Sequence, residues 1–201
     1  GERRELTRFL PPRPRATAAF ILIALFVLGG TLVSGSSHFA NNTLLGLSYA
    51  LLALWLIRYD IARKTIRTPG ITRFVASCLL SGYAWLLIGG MLITDFLQLG
   101  AFQRDAAIHA MALGFIFAMV IGHAPIIFPA VARVAIPFSA VFYVPLGLIN
   151  LGVLLRLVAA VMSEPQLREA GAVINAIGIV SFMLSILLQV SRGIRQQHRS
   201  L

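Results

Sequence analysis

The chain has 201 residues, 58% of them hydrophobic and 12% charged, with a formal net charge of +10. That is about half the charge of an ordinary soluble domain (roughly 25%), too little polar surface to cover a soluble fold of this length, so hydrocarbon is the expected solvent. The basic excess would suit nucleic acid, but its placement argues against that, and the absence of a P-loop, a dinucleotide fingerprint, GxSxG and HExxH leaves no soluble substrate to name.

Residues 1–15 form a basic arm in which Pro11 and Pro12 oppose one continuous helix. A spanning helix needs about 20 mostly apolar residues. The first such stretch is Ala16–Ser34. Its apolar run is longer than the roughly 7–15 residues of a signal-peptide core, so it is expected to be a retained helix. The following "SGSSHFANNT" reads as a loop and carries His38. The second span is Thr43–Arg58, short enough that it is expected to run further, toward Ile61.

The third span, Ile71–Phe96, contains the lone Cys78, which excludes an intramolecular disulfide and reads as a small core residue. Ser77, Ser81, Gly82, Gly89 and Gly90 suit close helix packing. The fourth span is Asp105–Phe128, with His109 near its start and His123 near its end. The fifth, Ile136–Met162, is long enough to tilt, and Pro145 is expected to kink it. The sixth is Gln166–Val190, where Gly171, Asn175, Gly178, Ser181, Ser185 and Gln189 recur every three or four residues on one face. Residues 191–201 make a basic tail.

The expected fold is thus an all-α polytopic integral membrane protein, a bundle of six transmembrane helices over residues 16–190. With six spans, 14 of the 17 basic residues fall on one side. By the positive-inside rule both termini are cytoplasmic, in a bacterial inner membrane, and the net charge becomes a topology signal facing anionic headgroups.

The ionisable residues inside the spans are the candidate site. On an ideal α-helix the fourteen-residue step from His109 to His123 leaves them about 40° apart around the axis and about 21 Å apart along it. They share a face but cannot hold one metal together. His109 lies near the outer side, as does His38, and two neutral imidazoles from different segments suit a b-type haem, or copper. The thioethers of Met91, Met111 and Met162 would support Cu(I), although methionine in apolar helices is more often filler. Arg156 lies about two turns inside the fifth span and needs compensation, from a haem propionate, from Asp95 or another carboxylate, or by snorkelling to the headgroups. His123 could ligate with a non-histidine partner, line a proton path or satisfy a carbonyl freed near Pro125 and Pro129. His198 lies in the basic tail and reads as solvated.

"HAMALGFIFAMVIGHAPIIFPAV", residues 109–131, and "FYVPLGLINLGVLLR", residues 142–156, resemble a histidine-bearing segment of membrane proteins grouped with the NnrS family and the haem-copper oxidase-like superfamily. The resemblance implies haem, and copper in some members, in respiratory or nitric oxide-related settings, and marks His109 and His123. NnrS proteins are longer, with more spans, and oxidase catalytic subunits need more histidines than the four here. The resemblance therefore implies no oxidase centre. Three functions follow as expectations: a haem protein for electron transfer or small-gas sensing, a cofactor-free accessory subunit beside other membrane subunits of a respiratory or photosynthetic complex, and a small transporter. The last is the weakest, since the spans hold few acids.

Overall fold

The computed structural model describes residues 14–33, 39–94, 96–97, 100–132 and 137–199. Among them the fold is entirely helical. The elements in chain order are α1 (Pro14–Val33), α2 (Phe39–Tyr59), the single turn α3 (Ala62–Thr65), α4 (Ile71–Ile93), and α5 (Gln103–His109). A π-helical segment (Ala110–Phe117) continues α5 into α6 (Ala118–Ala132). A 3₁₀ turn (Ala140–Phe142) leads into α7 (Tyr143–Met162), and α8 (Pro165–Arg199) closes the chain. Among the described residues five segments are long and apolar enough to cross a membrane: Pro14–Leu32, Ile71–Ile93, Gln103–Ala130, Ala140–Met162 and Pro165–Arg195.

The surface confirms the reading of composition. On α1, Ile21, Leu22, Leu25, Leu28 and Leu32 are all more than half exposed. In water such a continuous apolar face would cost tens of cal/mol per Å². In a bilayer it meets its own kind. With no hydrophobic drive between helices there, close packing and polar contacts must hold the bundle.

Two seams show how. Between α2 and α4, Gly46 and Gly90 abut reciprocally: a methyl on Gly46 would lie 2.5 Å from the Gly90 carbonyl oxygen, and one on Gly90 would lie 2.7 Å from that of Gly46. Between α7 and α8, Gly152 and Gly171 do the same, at 2.8 and 2.7 Å. Backbone meets backbone at both, with no room for a side chain. The stripe on α8 is the buried face of that helix, with Asn175, Ser185 and Gln189 each under 5% exposed. Gly178 packs on Ile149.

The core lies between α4, α6, α7 and α8. Phe74, Phe142, Ile121 and Ile149 are fully buried there with Cys78. Phe74 contacts the rings of Phe138, Phe142 and Tyr143.

Three expectations are revised. Pro145 does not kink a helix, because α7 begins only at Tyr143 and Pro145 sits in its first turn. An N–H there has no helical partner to lose. The α8 helix runs on through the basic tail to Arg199, so composition changes near residue 190 but the backbone does not. Finally, the fourth span is not an uninterrupted α-helix, since eight residues of i→i+5 bonding follow His109. The ideal-helix arithmetic linking His109 to His123 does not carry across it.

Candidate functional site

The site is built where the start of α5 meets the end of α4 and the last turns of α7. The C-terminal carbonyls of α4 lack helical donors. Gln103 answers one of them, its Nε2 donating to the Leu92 carbonyl oxygen at 2.8 Å. This tether fixes the first turn of α5 and places Asp105, one residue pair further on, against α7.

There Asp105 meets Arg156. Nη1 of Arg156 donates to Oδ2 of Asp105 at 2.6 Å, with the arginine side chain 9% and the aspartate 25% exposed. The sequence demands an anion for Arg156, and the structure supplies Asp105. Asp95, the partner named from sequence, lies outside the described residues, as does His38. A signal for Asp105 was present: an acid in the first turn of an otherwise apolar helix, four residues before a histidine.

That spacing matters for His109. Its Nδ1 lies 2.8 Å from the carbonyl oxygen of Asp105 and 3.5 Å from Oδ1 of the same residue. A carbonyl oxygen only accepts, so Nδ1 of the neutral ring carries the proton and Nε2 presents the lone pair. His123 repeats the device with Nδ1 2.8 Å from the Met119 carbonyl oxygen. Metal-bound histidines are held in this way, with one ring nitrogen anchored and the other ligating. The two rings belong to separate places on the fold: His109 to the Asp105–Arg156 pair, His123 to the far part of the helix beyond the π-helical segment.

Buried polar atoms without partners mark the same region. Among the described residues, Nε of Arg156, Nε of Arg168 and both amide atoms of Asn175 are buried without a hydrogen bond. Asn175 faces Gly152, and Gly171 touches the Arg156 side chain, so the orphaned groups run along the α7–α8 seam. The Arg168 guanidinium lies 5.0 Å from the Phe102 ring centre, at the head of α5. Deeper in, Trp85 donates Nε1 to Oδ1 of Asn150 at 2.7 Å, and Asn150 passes its own amide to the Leu146 carbonyl at 2.7 Å. Trp85→Phe should lower stability by about 1–2 kcal/mol, the cost of one orphaned acceptor, measured as a fall in melting temperature.

No group of three or more His, Cys, Asp or Glu that could hold a metal ion is present among the described residues. Of the methionines suggested for copper, Met162 is 61% exposed and Met111 packs on Gly89.

Fold and site together describe an all-α protein of membrane-crossing helices with a polar, histidine-bearing cluster at one end. The chain belongs to the family described as Domain of unknown function (DUF8744), whose model matches residues 1–191. Comparison with curated proteins and with solved structures gives no match.

Proposed function

We propose that this protein is a six-span haem-binding protein of a bacterial inner membrane, serving electron transfer or small-gas sensing, in which His109 would hold the haem. In this reading the sixth span is α2, a 21-residue helix packed against α1 and α4. The basic residues at one end favour cytoplasmic termini. A reporter fused after Arg199 should therefore behave as cytoplasmic, and one placed at Arg104 as external.

The observation that carries the haem reading is the anchored imidazole of His109, with Nδ1 tied to Asp105 and Nε2 left as the ligating nitrogen. The residues fit a b-type haem in part. Arg156 is already neutralised by Asp105, yet its buried Nε still needs an acceptor, which a propionate would provide. His38, outside the described residues, would supply a further imidazole to hold the haem. His123 would serve a separate role. A haem held here would supply a one-electron couple and a gas-binding iron, while the protein sets the ligand orientation and the low dielectric.

One observation favours a second reading, a cofactor-free accessory subunit of a larger membrane complex. Asp105 already compensates the charge of Arg156, so that charge does not require a cofactor. Absorption spectroscopy of the purified protein separates the two. The haem reading expects a Soret band and a sharp reduced α-band, both lost in His109→Ala and retained in His198→Ala. A folded preparation without colour or metal sinks it and leaves the accessory reading. Copper, the lesser expectation, is scored in the same samples by elemental analysis.

A further inference from the structure

The other end of the bundle holds a second feature, unconnected to His109. A cleft of about 440 Å³ opens between the start of α1 and the end of α2, lined by Pro14, Arg15, Ala16, Arg58 and Tyr59. Its back wall is fixed. Trp55 donates Nε1 to the Ala16 carbonyl oxygen at 3.0 Å, which locks α1 to α2 at this level. Phe20, Trp55 and Tyr59 form a run of ring contacts at 4.9 and 5.4 Å, and the Arg58 guanidinium lies 5.3 Å from the Tyr59 ring centre.

Two arginines, Arg15 and Arg58, therefore line one cleft. Asp105, the partner of Arg156, belongs to the site at the other end of the bundle. The nearest acid in sequence, Asp60, is turned to other work: Oδ1 accepts from the Ala62 amide at 2.8 Å and Oδ2 from the Tyr83 hydroxyl at 3.0 Å. Two cations lining one cleft attract an anion to it. Guanidinium forks match phosphate oxygens bidentately, which suits them to this anion above others. The aromatic run is of the kind that collects at the headgroup level of a membrane.

We propose that this cleft binds the phosphodiester of one anionic glycerophospholipid. Arg15 and Arg58 clasp the phosphate, and Tyr59 closes the side of the cleft. The surroundings favour a lipid over a free phosphate. From the cleft, α1 continues as an apolar rod with Ile21, Leu22, Leu25 and Leu28 more than half exposed, a surface along which acyl chains can lie.

The test is native mass spectrometry of the full chain released from nanodiscs containing phosphatidylglycerol or phosphatidylcholine. One phosphatidylglycerol should remain bound. In Arg15→Gln/Arg58→Gln its affinity should fall about fivefold for each arginine lost, while Arg15→Lys/Arg58→Lys, which keeps the charge but loses the bidentate fork, should fall between that variant and the unmodified protein. The lysine variant also answers the case in which the glutamine variant fails to fold: equal lipid retention by Arg67→Gln, in the neighbouring basic loop, and its loss on added high salt then mark the cleft as the charge-dependent site. Equal retention of phosphatidylcholine overturns the proposal. So does unaltered binding in a folded glutamine variant. Binding of inorganic phosphate by delipidated protein, abolished by the same variant, would transfer the cleft to a soluble anion and overturn the lipid assignment.

Discussion

Asp105→Ala should destabilise the protein by about 3–5 kcal/mol, because it strands a charge that is nine-tenths buried. Arg156 keeps its guanidinium inside the bundle, where its side chain packs against Gly171. Its other buried donor, Nε, has no partner among the described residues to share the load. Asp105→Asn is a milder case, retaining a hydrogen-bond acceptor without the charge. The double variant Asp105→Leu/Arg156→Met should recover most of the loss, since an apolar pair of similar volume removes both desolvation costs. Cys78 gives a direct assay: it is fully buried and the sequence holds no other cysteine, so a thiol-reactive fluorophore reports unfolding. If the single and double variants melt together, the pair contributes through packing and not charge.

The second large effect is at the α7–α8 seam. Gly152→Ala would place a methyl into Asn175 Oδ1 and 2.8 Å from the Gly171 carbonyl oxygen. The backbone oxygen cannot step aside, so the helices must separate, at a cost of about 2–3 kcal/mol. Gly152→Val should prevent accumulation of folded protein. Asn175→Ala, by contrast, should be neutral or stabilising, because both amide atoms are buried and unpaired. Combined with Gly152→Ala it should return part of the loss, the part due to the side chain, and leave the part due to the Gly171 carbonyl. Additive losses in that cycle would show that the two residues do not touch.

Much of this was legible in the amino acids, and the reason is physical. Long apolar runs bounded by charges can end only where the hydrocarbon ends, so the helices fall near their expected bounds. The α8 stripe was legible because small and polar residues at helical spacing have one use in a membrane, which is to face another helix. The need of Arg156 for an anion could be read from cost alone. Its choice of Asp105 could not, because that depends on how the Gln103 tether sets the first turn of α5 against α7. The π-helical segment had no periodic signature either. It coincides with long-range packing, where Gly114 is pressed onto the Trp85 ring so tightly that a methyl would lie 2.5 Å from it.

The glycine crossings have a bearing on where anything flat could dock. A porphyrin is about as thick as a single layer of side chains, and neither the Gly46–Gly90 nor the Gly152–Gly171 joint leaves even one such layer between its helices. Both joints are shut doors. A macrocycle reaching His109 would have to come from the flank of α5, through the side of the bundle that the ring already partly exposes at 27%. Such a guest would be shared with whatever stands beside the protein in the bilayer, be it lipid or a neighbouring subunit, and its occupancy would report on that company.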